Sequence, residues 1–330
     1  MAGTASSFPS GPLPMSRPPR PLPGLAAVLP VALPLFLVGC GGRDEAPGDL
    51  DDRPTRDSTT IPAAPETDIW IAPLDGHGSE LRLGTARNAT DRPGYDNQPV
   101  FTGPGRLLYT RAEDGDADIW QLDLATGVTT PFTRTSPESE YSATPLPFAA
   151  GISVVQVEAD STQRLWQIDG AGVPVAPIFP GVAPVGYHAW LDDTRALLYV
   201  LGNPATLHLA ERGATETRVV ARDVGRSLQA APGGGVSYVQ RTDEGSTEIR
   251  IWSREDGDSR RVAESVAVGE DHAWTPDGLL LQASGNRVYA LDPAGDRRWR
   301  EIGGVEGDRR VTRMAVSPDG RTLAMVVTGS

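Results

Sequence analysis

The sequence contains no lysine: all 30 of its cationic side chains are arginines, set against 43 acids for a formal charge of −13. Such an acidic balance argues against nucleic acid as a partner, because neutralising phosphates needs a concentrated cationic surface. The single cysteine, Cys40, excludes a disulfide framework and a Cys-rich zinc site. From Thr67 onward no window carries a sustained 3.6-residue apolar period, so long helices are not expected. A G-x-S-x-G elbow and a phosphate-cradling Gly-rich loop are also missing, and a Ser–His–Asp set cannot be read from spacing because geometry defines it. What the chain does have is 37 glycines and 30 prolines in 330 residues, which suits many tight turns. Its 39% hydrophobic content is enough for a sizeable core in one or two domains.

The N-terminus reads as an address. Residues 1–23 hold Arg17 and Arg20 and no acid, and residues 24–38 are an uncharged apolar stretch with two prolines. Fifteen residues are short for a membrane-spanning helix and fit a signal-peptide core. The stretch ends in Leu37-Val38-Gly39-Cys40, which resembles the bacterial lipoprotein signal, whose cysteine is lipidated and becomes the mature N-terminus. A start at Met15 gives a shorter basic leader of the more usual kind. The expected organisation is a signal peptide over 1–39, an acidic tether over 40–66 carrying lipidated Cys40, and a folded domain over 67–330. The tether has seven acids, three arginines and almost no large apolar side chain, so it cannot bury enough surface to order itself. At roughly 5–6 Å × √n it places the domain ~25–30 Å from the lipid. Gly41 follows the lipid site where an aspartate would signal inner-membrane retention. The location this favours is the periplasmic face of the outer membrane, with the cell surface or inner membrane as alternatives.

The folded region repeats. One register is a turn at Gly105, Gly151, Thr194, Gly234, Gly278 and Gly320, whose steps average 43 residues. A second is a strand aromatic or its substitute at Trp70, Trp120, Trp166, His208, Trp252 and Tyr289, each soon followed by a glycine turn. A period of 40–45 residues with four strands marks a propeller blade. In residues 86–135 the inner strand is expected to start at Pro99-Val100-Phe101, the second to hold Leu107 to Tyr109, the third Asp118 to Leu122 and the fourth Thr129 to Phe132. The region opens with an outer hairpin only, Asp68 to Leu83, and closes with an inner hairpin only, Val311 to Val327. Joined, the halves make one blade and hide the sheet edges. The expected fold is therefore all-β, a six-bladed β-propeller whose first blade is closed by N-terminal outer and C-terminal inner strands.

With Thr275-Pro276-Asp277-Gly278 and Ser317-Pro318-Asp319-Gly320 turns and Asp118-Ile119-Trp120 as a third strand, the region resembles the TolB-like, WD40-like repeats of bacterial envelope propellers. The resemblance implies an envelope lipoprotein or periplasmic binding module; many such proteins have no assigned activity. It does not extend to the additional N-terminal α/β domain of TolB, for which the chain has neither room nor sequence, so a Tol–Pal role is not expected.

In such a ring the inner-strand starts and the loops between second and third strands share the ligand face. Candidate binding residues there are Asp96, Asn97, Glu140, Tyr141, Glu158, Arg164, Tyr187, His188, Arg226, Asp271, His272 and Arg313, with Gln98, Glu270 and Arg310 beside them. His188-Ala189-Trp190 recurs two blades later as His272-Ala273-Trp274. Either each histidine caps its strand while the Trp packs between blades, or the two join Glu140 or Asp271 around a divalent ion. Some propeller lyases and lactonases do carry a central ion. The run from Asp114 to Asp118 lacks the glycine and glutamate of a calcium loop and reads as an acidic turn. The leading functional reading is a non-catalytic binding or scaffold module for an envelope protein, peptide or carbohydrate, with no cofactor. The alternative is a metal-dependent lyase or hydrolase working at the central channel.

Overall fold

The computed structural model describes residues 66–113, 115–266 and 271–329; Cys40 and the leader lie outside them, as do Asp114 and Glu270. The described strands are β1 (Thr67–Asp75), β2 (Arg82–Leu83) and β3 (Arg87–Asn88), then four-strand sets in chain order. The first set is β4 (Tyr95–Gly103), β5 (Arg106–Glu113), β6 (Asp116–Asp123) and β7 (Thr129–Pro131). The second is β8 (Ser139–Pro145), β9 (Ile152–Val157), β10 (Gln163–Ile168) and β11 (Pro174–Pro177). The third is β12 (Val185–Trp190), β13 (Arg195–Val200), β14 (Thr206–Glu211) and β15 (Arg218–Arg222). The fourth is β16 (Val224–Ala230), β17 (Val236–Arg241), β18 (Thr247–Trp252) and β19 (Ser259–Glu264). The fifth is β20 (His272–Trp274), β21 (Leu280–Ser284), β22 (Arg287–Leu291) and β23 (Arg300–Gly304), and β24 (Arg310–Val316) and β25 (Thr322–Thr328) end the chain. One short 3-10 turn, Gly78–Glu80, is the only helical element among the described residues.

Each set is an antiparallel meander, as expected of a propeller blade. The last hairpin pairs through β25 with β1, from Thr67 opposite Thr328 to Pro73 opposite Thr322. The turn glycines of the first register fall between first and second strands, and the Trp70 register falls in β1, β6, β10, β14, β18 and β22.

Side-chain alternation explains why second strands read as continuous apolar runs. On β13, Leu197 and Tyr199 face the core shared with the β16–β19 sheet, while Ala196 and Leu198 face that of the β8–β11 sheet. On β25, Leu323, Met325 and Val327 serve one core and Ala324 and Val326 another. A strand covered on both faces has no solvent side to supply polar alternation. Each sheet thus lies between two hydrophobic cores, and every core joins a sheet to its neighbour. The first strands also touch in sequence, β4 with β8, β8 with β12, β12 with β16, β16 with β20, β20 with β24 and β24 with β4.

Five of the six first strands bulge, β20 alone keeping its register. Register slips between Asn97 and Val100, Tyr141 and Thr144, Val185 and Tyr187, Val224 and Leu228, and Val311 and Arg313. A bulge re-aims the side chains beside it. The residue-level expectation for the first strand of the 86–135 repeat needs one change: β4 begins at Tyr95 rather than Pro99, because Tyr95 to Asn97 pair with Ala112 to Thr110 before the bulge.

Candidate functional site

The bulged segments converge on a cavity of about 100 Å³. All six first-strand segments reach it: Gln98 to Val100, Ser142 to Thr144, Tyr187 and His188, Arg226 to Gln229, Asp271 just ahead of β20, and Arg313 and Met314. Gln98 and Ser142 hold φ of +55° and +56°, in the left-handed region that non-glycine residues rarely adopt. Two contacts hold Gln98 in place. The Ser142 N–H donates to its Oε1 at 2.6 Å and Thr110 Oγ1 donates at 3.0 Å.

Charge at the cavity centres on Arg313. Its Nη2 donates to the Tyr187 hydroxyl at 2.8 Å, with the guanidinium carbon 4.7 Å from the ring centroid. Asp271 accepts from the Met314 N–H at 2.6 Å. Burial pushes this carboxyl up to about 6, although Arg313 pulls it back. Burial also raises the phenols of Tyr95 and Tyr141, each within electrostatic reach of Tyr187. Among the described residues, the lining holds the guanidiniums of Arg313 and, from β16, Arg226, and the carboxylate of Asp271.

The two histidines have matching environments. His188 Nε2 lies 2.7 Å from Ser153 Oγ, which also accepts from Trp190 Nε1 at 2.9 Å. His272 Nε2 lies 2.7 Å from Ser237 Oγ, which accepts from Trp274 Nε1 at 2.8 Å. Each serine belongs to the preceding sheet, so the trio bolts one sheet to the next. Burial pushes both imidazoles down to about 3, keeping them neutral. Each Ser Oγ is fully engaged and buried, so neither Ser–His pair presents a nucleophile.

The remaining sequence candidates stand apart from the cavity lining. Asp96 is completely buried and takes Arg92 Nε and Nη2 at 3.1 and 2.8 Å on one oxygen. Asn97 Oδ1 accepts the Gln98 N–H. Glu140 is completely buried, accepts from Thr133 Oγ1 at 3.0 Å and from Thr135 Oγ1, and is pushed up to about 7 by burial. Glu158 pairs with Arg164 and accepts from Trp166 Nε1 at 2.9 Å within its own hairpin. Tyr141 packs beside Val155 and Leu165. Thus Tyr187, His188, Arg226, Asp271 and Arg313 come together, and His272, Glu140, Asp96, Asn97, Tyr141, Glu158 and Arg164 do not join them. Among the described residues no three Cys, His, Asp or Glu side chains are grouped to hold an ion. The sequence reading missed Ser142, Ser227 and Gln229 in the lining; their common signal is the first-strand register once the bulge is counted.

A larger opening of about 360 Å³ lies at the outer joint of β19 and β23, lined by Arg297 and Trp299. Both donate to backbone carbonyls there, of Val262 and Glu264, and Arg261 pairs with Glu264 beside them, so it is a sheet joint whose polar groups engage one another.

No family model and no curated protein matches the sequence. Among solved structures, the putative TolB from Agrobacterium tumefaciens is similar with TM-score 0.59 and 14% identity, covering 81% of this chain and 100% of that one. A gluconolactonase from Xanthomonas campestris is similar with TM-score 0.53 and 12% identity, covering 81% and 99%. TolB from Acinetobacter baumannii gives TM-score 0.47 and 12% identity over 78% of this chain, which spans 63% of that protein's length. At these identities the likeness is one of fold. The described strands have a TolB-like β-propeller fold.

Proposed function

We propose that this chain is a six-bladed propeller, lipid-anchored through Cys40 in the bacterial envelope, that binds a peptide, protein or carbohydrate at its central cavity without turning it over. Six blades closed through one shared sheet are supported by the β1–β25 ladder and by first strands that touch in an unbroken cycle. The anchor rests on the apolar leader ending at Leu37-Val38-Gly39-Cys40, and the outer-membrane preference on Gly41. The observation that carries the binding role is the cavity itself. Each of the six first-strand segments supplies it a residue, Asp271 just ahead of β20 included, and the polar ones are two arginines, a carboxylate, a histidine, hydroxyls and amides. Engagement of both histidine Nε2 atoms by serines, and of Glu140 by threonines, favours binding over metal-assisted lysis or hydrolysis.

A photo-reactive residue at Gln229, in the cavity wall, is expected to give a discrete adduct in intact cells. Cys40→Ala is expected to release the chain from the membrane fraction and abolish fatty-acid labelling. A Cys40→Ala chain that stays membrane-bound removes the anchor. Absence of any adduct, together with metal-dependent turnover of a lactone or uronate polymer by the purified chain, removes the binding role.

A further inference from the structure

The fourth strands are the outer edges of their sheets, and three of them carry charge. β15 holds Arg218 and Arg222, β19 holds Arg260, Arg261 and Glu264, and β23 holds Arg300 and Glu301. The edges β7 and β11 hold none: they read Thr-Thr-Pro and Pro-Val-Ala-Pro. Charge on an exposed edge keeps it in water, and its absence leaves the edge open to apolar contact. Among the described residues four large hydrophobic side chains are exposed, and three of them belong to these two edges. Val128 just ahead of β7 is 57% exposed, and Val173 and Val175 at β11 are each 55% exposed. The edges adjoin, because the Gly172 turn leading into β11 leaves no room for a Cβ beside the Phe132 carbonyl just past β7.

The apolar surface continues along the chain. Residues 170–186 contain no polar or charged side chain, and Ala176, Pro180, Ala183 and Pro184 are exposed within them. Pro174, Pro177, Pro180 and Pro184 also have no backbone N–H. This chemistry separates two kinds of partner. A protein interface carries about one hydrogen bond per 100–200 Å², and this strip has no polar side chain to make one. Hydrocarbon penalises every unpaired backbone N–H, and the prolines present none. The strip therefore fits the apolar boundary of a bilayer better than the surface of another protein.

We propose that the outer edges of β7 and β11 rest on the membrane, with Val128, Val173 and Val175 at the boundary between acyl chains and headgroups. The inference rests on the Cys40 anchor proposed above, which would hold the domain within the ~25–30 Å reach expected of residues 41–66 as a tether. At that range a contact too weak to recruit a free chain is populated, since tethering replaces the bulk concentration by a high local one. The formal charge of −13 directs the contact to this strip, where no acid meets the headgroups. β7 and β11 lie three strands out from the first strands of their sheets, so rim contact leaves the central cavity open to a ligand.

The test uses the full chain, lipidated at Cys40, in phosphatidylcholine vesicles with and without brominated acyl chains. A lipidated Cys40 has no free thiol and is the chain's one cysteine, so Val175→Cys can be labelled alone with a fluorophore. The same label at Arg298→Cys, exposed ahead of β23 on another sheet, is the control. The Val175 label is expected to lose most of its emission to the brominated chains, and the Arg298 label to keep its own. Val128→Asp combined with Val173→Asp is expected to abolish that loss while the chain still floats with the vesicles. Both valines are exposed, so the variant keeps the wild-type melting temperature; should it melt lower, Val128→Asp alone is expected to lessen the loss and decides the matter. An unquenched Val175 label on a floating chain overturns the docking and keeps the anchor. If the chain does not float, the anchor fails, and the label read at vesicle excess still decides the docking. Equal quenching at both labels overturns the inference, since the lipid then meets no particular edge. A photo-reactive residue at Val175 that gives a discrete protein adduct in cells, without quenching in vesicles, assigns the strip to a protein and overturns it as well.

Discussion

Glu140 is held by two threonine hydroxyls in a fully buried joint between sheets, and its carboxyl sits near 7. The unfolded chain loses that proton at the ordinary carboxyl value of about 4.5, while the folded chain keeps it up to about 7. The stability this contributes is complete below pH 4.5 and is lost as pH rises toward 7. Asp271 has the same sign over the narrower window from 3.8 to about 6. His188 and His272 oppose them: the unfolded imidazoles protonate near 6.5 and the folded ones only near 3, so their burial costs stability as pH falls through that range. The two acids and two histidines therefore offset one another between pH 4.5 and 6. Glu140→Gln mimics the protonated acid and removes part of the downward slope. Urea denaturation should find the variant equal to wild type at pH 4 and more stable by on the order of 2 kcal/mol at pH 8. A variant no more stable at pH 8 contradicts the assignment.

Two hairpins between third and fourth strands show how far a shared turn depends on its neighbours. Gly172 and Gly213 hold φ of +84° and +83° at equivalent turns. A Cβ on Gly172 would lie 1.9 Å from the Phe132 carbonyl oxygen of the adjacent sheet, whereas one on Gly213 meets nothing within 4 Å. Gly213→Ala should cost about 1–2 kcal/mol, the penalty for a side chain in the left-handed region. Gly172→Ala adds a backbone clash across the sheet joint and should cost at least twice as much by chemical denaturation. Equal costs at the two sites rule out the tight joint. This contrast also marks what the sequence could reveal. The turn glycines, the third-strand aromatics and the unpaired terminal hairpins were readable because they recur at one period and obey local rules. The cavity was less readable. A bulge adds a residue that nothing in Asn97-Gln98 or Tyr141-Ser142 announces, and each one changes which side chain faces inward. The strand start expected at Pro99 falls short because the pairing of Tyr95 with Ala112 lies beyond the bulge. The fates of the histidines depend on Ser153 and Ser237, 35 residues away and brought close only by the folded sheets, whereas Asp96 and Glu140 are taken by Arg92 and Thr133 from the adjoining stretch of chain.

For the molecule as a whole, the consequential joint is the one between chain ends. β1 pairs with β25 along its length, and the hydrophobic cores on either side of that sheet take Ala72 and Leu74 to one side, Ile69 and Ile71 to the other. Removing residues 309–330 deletes β24 and β25, bares the edge of β1 and opens both cores. A long unpaired edge beside exposed apolar side chains favours association over folding. The truncated chain should therefore lose its cooperative urea transition and elute as aggregate, while loss of Gly329 and Ser330 alone should change neither. A circular permutant separates closure from chain order. Thr328 lies opposite Thr67, so a short hairpin linker can join β25 directly to β1, with new ends opened at Gly307. Every strand keeps its neighbours in that arrangement, and a single transition near the wild-type midpoint is expected. If the truncated chain instead stays monomeric with an unshifted midpoint, the terminal sheet is an ornament and the proposed ring does not need its sixth blade.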